Sequence, residues 1–244
     1  DNCLIILAID YEVVVKGLEP KFGKLTEKNE REFRSFFDKI IQLPFSMPVT
    51  SYNIDQFLIE SLKGVRYIDE TLLQDEDFKQ LLTEMATRSV GTNPRGIKRL
   101  INTLSLIQIM NELEVGDLGE KRHEKLLNFG FVCIQIAFPS FYYLVVEEPN
   151  FAGWDEKLAN KLRLKKLSDE QVEQLKDLEE FDEEWETIVY RACINDAYLA
   201  ARAFDISSLL NVIRALVPDG MPFEETIQKV LTLSSVTSVS LDKG

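Results

Sequence analysis

Along the chain, the spacing of apolar positions changes character near residue 51. Residues 3–9, CLIILAI, form an unbroken apolar run, the pattern of a strand buried on both faces of a parallel sheet, and the run ends in Asp10. An acid at the carboxyl end of such a strand lies where open α/β sheets bind ligands. YEVVVKGLEPKFG (11–23) predicts a short helix stopped by Gly17 and Pro20, and TEKNERE (26–32) a charged loop. FRSFFDKIIQLPFSMP (33–48) predicts a second short helix leading into a strand, KIIQLPF, that ends at Pro48. Strand, helix, strand is the tail of an α/β sheet, and the chain reads as entered partway through a fold.

After residue 51 the apolar spacing is helical. IDQFLIESLKG, ETLLQDEDFKQLLTEMATRSVG and NPRGIKRLINTLSLIQIMNELE form a three-helix group closed by glycines or a change of polarity. A second helical region follows, from EKRHEKLLNFGFVCIQIAF to DISSLLNVIRALV, with a charged linker, KLRLKKLSDEQ, inside it. The expected organisation is mainly α: a remnant of a parallel sheet in 1–50, a helical group in 51–115 and a C-terminal helical domain in 116–244. The most membrane-like stretch, FVCIQIAFPSFYYLVV (131–146), is too short to span and carries Gln135, Pro139 and Ser140, so it predicts a buried helix pair broken at the proline.

GTNPRGIKRLIN (91–102) raises a chemical question. Asn93 suits an N-cap and Pro94 the first helical position, with Ile97, Leu100, Ile101 and Leu104 as the buried stripe. Arg95, Lys98, Arg99 and Asn102 then share another face. Cations at a helix start are unfavourable by up to about 1 kcal/mol each. An anion would compensate, because a phosphate there meets free backbone N–H groups, the dipole and a guanidinium together. The alternative is a solvated basic face paired with acids elsewhere.

Composition narrows the classes of function. With 28 basic and 41 acidic residues the formal charge is −13, which argues against general binding to nucleic acid or anionic membranes while leaving room for a local basic site. Cys3, Cys133 and Cys193 are widely spaced, and His123 is the single histidine, so neither a disulfide framework nor a zinc site is indicated and a reducing cytoplasm fits. GLEPKFGKLT (17–26) superficially resembles a phosphate-binding loop, but it has one residue too many between its glycines, and Leu25 follows the lysine. His123 reads as a surface residue, no G-x-S-x-G motif occurs, and the acids of DLEEFDEEWE suit a solvated face better than an acid/base pair.

Taken in order, CLIILAIDYEVVVKGL, FFDKIIQLPFSMP and GTNPRGIKRLIN resemble the latter half of the KAP family of P-loop NTPases, relatives of AAA+ and STAND ATPases. The resemblance implies a C-terminal portion lacking the Walker A and Walker B segments, with the N-terminal half of the NTPase core as a missing partner. It places Asp10 at a sensor position on a strand of the P-loop sheet and residues 51–115 as a helical lid. Asn93 and Arg95 would bind nucleotide, with Arg95, or Arg99 in reserve, reaching the γ-phosphate and coupling nucleotide state to lid movement. Arg34 and Lys39 are weaker arginine-finger candidates. ATP and Mg would be cofactors of the full-length hydrolase, and this chain alone is expected to be inactive. A homo-oligomer or another protein is a further expected partner, with no membrane span. The competing reading is a non-catalytic helical protein-interaction module derived from an NTPase lid.

Overall fold

The computed structural model describes residues 6–45, 53–115, 122–177 and 181–235. The chain divides into two compact units, Asp1–Ser51 and Tyr52–Gly244. Both are helical. In the first, α1 (Tyr11–Phe22) and α2 (Glu30–Ile40) pack as a pair. Asp10 caps α1, its carboxylate accepting from the backbone N–H groups of Glu12 at 3.0 Å and Val13 at 3.3 Å. The helix continues through Gly17 and Pro20 and stops at Gly23, whose φ of 76° and N–H bond to the Glu19 carbonyl close the last turn.

The expected sheet remnant is overturned: the described residues contain no strand. Residues 6–10 are irregular, residues 3–5 of the first expected strand lie outside the described set, and Lys39 and Ile40 of the second belong to α2. An apolar run alone does not separate a strand from other buried segments, and a strand exists only where a neighbour accepts its backbone hydrogen bonds. In α2, Phe33, Phe36, Phe37 and Ile40 recur at helical spacing. Phe33 is buried against Phe22, with ring centroids 5.4 Å apart, and Phe37 lies 4.9 Å from Tyr11. Aromatic contacts across a helix pair thus take the place of a sheet ladder.

The second unit contains α3 (Ile54–Gly64), α4 (Glu70–Leu73), α5 (Glu76–Ser89), α6 (Pro94–Val115), α7 (Arg122–Ala137) and α8 (Pro139–Glu147). A 3-10 turn at Phe151–Gly153 precedes α9 (Glu156–Lys161), α10 (Asp169–Asp177), α11 (Glu184–Cys193), α12 (Ala197–Ala200), α13 (Ala203–Leu216) and α14 (Phe223–Ser235). Most starts are written locally. The side chains of Asn53, Asp69, Asp75, Asp155 and Asp196 each accept from a backbone N–H two or three residues on. Glu183 and Glu186 form a reciprocal capping box at α11.

The centre of this unit is α7. Leu126 to Ile134 are all buried and, Asn128 apart, apolar or glycine, so the helix must be surrounded; α5, α6, α8, α13 and α14 pack against it. Gly130 permits a close approach of α13, since a Cβ there would lie 2.8 Å from Ile213 Cγ1. Pro139 separates α7 from α8, and both helices are buried in the same core. That core joins residues on both sides of 115, the boundary expected between a lid and a C-terminal domain. Among the described residues no helix is long and apolar enough to cross a membrane.

Candidate functional site

The corner between α5 and α6 is set by short-range chemistry. Helix α5 is C-capped by Val90, and Gly91, at φ 66°, returns its N–H to the Ala86 carbonyl at 3.0 Å. Asn93 then caps α6 by accepting from the Arg95 N–H at 3.0 Å, and Pro94 occupies the first helical position. Ile97, Leu100, Ile101, Leu104 and Ile107 are buried and anchor the helix. Gly96 lets the corner close, as a Cβ there would stand 3.1 Å from Val90 Cβ and 3.3 Å from the Val90 carbonyl oxygen.

With those residues facing inward, Arg95, Lys98 and Arg99 are held outward and exposed. Among the described residues none of the three makes an ion pair or a side-chain hydrogen bond. Arg95 and Arg99 border a recess of about 340 Å³ whose other walls include Val90, Ile136, Ala137, Tyr198 and Arg202.

Arg202 builds one wall from far along the chain. Its Nη2 donates to the Arg88 carbonyl at 2.8 Å and the Ser89 carbonyl at 3.2 Å, satisfying acceptors left open at the end of α5. Its Nε binds Asp205, and the guanidinium lies 5.2 Å from the Phe138 ring centroid. Tyr198 Oη donates to the Ala137 carbonyl at 3.2 Å, which fixes the ring beside the recess. Arg202 is therefore neutralised and structural, whereas Arg95 and Arg99 have no acidic partner among the described residues. Two guanidinium groups one helical turn apart beside an aromatic and aliphatic wall suit an oxyanion joined to apolar atoms.

The other expected residues lie in the smaller unit. Asp10 is the cap of α1, Arg34 pairs with Glu30 at 3.3 Å, and Lys39 is exposed in the last turn of α2. Sequence reasoning missed Arg202 and Tyr198. The segment AYLAARAFD contains no motif, and the hydrogen bond from Arg202 to Arg88 spans 114 positions.

Other chemistry is poorly supplied. Cys133 and Cys193 are buried thiols pushed up to about 12 by desolvation, hence poor nucleophiles. Among the described residues no group of three or more His, Cys, Asp or Glu is placed to hold a metal ion. No carboxylate is among the residues that line the recess.

A sequence model of the KAP family P-loop domain matches residues 1–111. Neither a curated protein nor a solved structure shows a significant match to the chain. The matched segment is the N-terminal part of this chain, and its described residues contain helices and no strand, which corrects the reading of a C-terminal NTPase portion with the N-terminal half of its core as a missing partner. The role given to Arg95 or Arg99, contact with an ATP γ-phosphate and coupling of nucleotide state to a lid, is likewise overturned, because the described residues supply neither a sheet core nor a metal-holding cluster. The reading of the chain as part of an ATP-binding, AAA+-like hydrolase falls with it. The helical architecture fits the competing reading, a non-catalytic module.

Proposed function

We propose that the chain is a non-catalytic helical protein-interaction module that receives its partner at the recess beside the start of α6. One observation carries this reading: Arg95 and Arg99 are exposed at the mouth of a partly apolar recess and have no ion-pair partner among the described residues, in a protein whose formal charge is −13. Such a chain has many acids with which to neutralise two arginines internally. Leaving both open favours an acidic partner while the overall charge disfavours nucleic acid. A reducing compartment, the cytoplasm, is the setting consistent with the free thiols Cys133 and Cys193.

The test is photo-crosslinking in cells with p-benzoylphenylalanine in place of Tyr198, an exposed ring at the recess. A defined protein adduct is expected, and Arg95→Glu/Arg99→Glu should remove it. Absence of any protein adduct, or steady ATP turnover by the purified chain, would overturn the reading.

A further inference from the structure

The outward face of α6 does not end at the recess. Positions 95, 99, 102, 106 and 109 alternate in steps of four and three, so they line one side of the helix, opposite the buried Ile97, Leu100, Leu104 and Ile107. Every residue on this line is exposed: Arg95, Arg99 and Asn102, then Leu106 at 49% and Ile109 at 53%. At a rise of about 1.5 Å per residue, the line runs roughly 21 Å. Lys98 flanks its basic end. The face is thus divided along its length, cationic where it meets the recess and apolar at Leu106 and Ile109.

From this division we infer that the partner presents an amphipathic acidic helix, which lies along α6 with its carboxylates over Arg95 and Arg99 and its apolar residues over Leu106 and Ile109. The inference rests on the interaction reading above and names the partner's chemistry. Alternating steps of four and three are the spacing at which two helices share a continuous seam. Charge complementarity sets the orientation, because a reversed helix would bring acids onto Leu106 and Ile109 and leave the arginines facing apolar atoms. The recess then takes a side chain from the acidic end, where Tyr198 and Ile136 offer apolar wall beside the guanidinium groups. A membrane surface fits less well. A membrane-bound helix carries its cations alongside an apolar stripe over its whole length, whereas here the two characters follow one another along the axis.

The probe is a fluorescein-labelled helical peptide with glutamates at the first seam positions and leucines at the later ones, titrated into the full chain and followed by anisotropy. A peptide with the same seam in reverse order is the control. Saturable binding of the first peptide is expected, weakened by salt and at least about tenfold weaker for the reversed peptide. Arg95→Glu/Arg99→Glu and, separately, Leu106→Asp/Ile109→Asp should each weaken it by about tenfold or more, while Lys157→Glu, an exposed site on α9, should leave it unchanged. All substituted side chains are exposed, so unchanged circular dichroism should accompany the losses.

Equal binding of both peptides, or no binding of either, would overturn the inference. So would binding of the chain to phosphatidylserine vesicles without binding of the peptide, or self-association in sedimentation abolished by Leu106→Asp/Ile109→Asp. A Tyr198 adduct that survives Leu106→Asp/Ile109→Asp but not Arg95→Glu/Arg99→Glu would leave the interaction reading standing while removing the acidic helix. Loss of every protein adduct would remove both.

Discussion

The two compact units solve the same problem with very different success. In residues 53–235 a helix buried on all sides from Leu126 to Ile134, α7, is surrounded by five others, and the resulting core includes residues from Leu58 to Leu231. In residues 6–45 the buried apolar side chains are Val15 and Phe33, while Ile6, Leu43 and Phe45 are more than 80% exposed. Helices of 12 and 11 residues are marginal in water by themselves and draw their stability from the apolar face they bury. A segment of this length has too little interior to bury much of its surface. The contrast shows that helical pattern alone does not measure stability; the number of layers that close over each helix does.

The largest expected expression of the contrast is in amide hydrogen exchange of the full chain. Interior amides of α7 should exchange only through global unfolding, and those of α1 and α2 through local opening, orders of magnitude faster. Equal protection in the two units would break the comparison.

Two glycines sharpen it at the level of single methyl groups. Gly130→Ala would drive a Cβ into Ile213 and toward Met85 Sδ, so a loss of about 1–3 kcal/mol is expected in chemical denaturation. Gly17→Ala, in α1, meets no atom within 4 Å and replaces a poor helix former, so it should stabilise its own unit by about 0.5–1 kcal/mol, read as slower exchange of α1 amides. A neutral Gly130→Ala would mean that α7 and α13 are less tightly joined than their contacts indicate.

The smallest effect is electrostatic and belongs to the larger unit. The hydrogen bond from Arg122, reinforced by the Phe78 N–H, holds Asp75 below its ordinary 3.8; that from Arg214, with the Trp185 indole, holds Glu183 below 4.5. For a depressed carboxyl the stabilisation is complete above the ordinary value and disappears as pH falls through the folded one. Thermal melts should therefore show Arg122→Gln and Arg214→Gln slightly less stable than the parent at neutral pH, with the gap closing below about pH 4. A gap that persists in acid would assign the loss to packing of the arginine stems instead.

How much was legible follows from the range of each interaction. The start of α6 could be read from Asn93, Pro94 and the apolar stripe because cap, first turn and stripe lie within a few positions of one another. The cap of α1 is equally local, yet by its sequence context Asp10 suits the end of a strand, since the apolar run before it fits a sheet that the described residues do not contain. Basic charge at Arg95 and Arg99 was visible, but the recess beside them was not.

The sequence by itself determined the start of α6, the helical period after residue 51 and the outward placement of Arg95, Lys98 and Arg99, all consequences of chemistry within one or two turns. Only the tertiary structure decided that CLIILAI forms no strand among its described residues, that α7 lies at the centre, and that Arg202 and Tyr198 complete the recess. Those outcomes depend on partners separated by up to 114 positions, as from Arg88 to Arg202, and local periodicity contains no record of which distant surface a residue will meet.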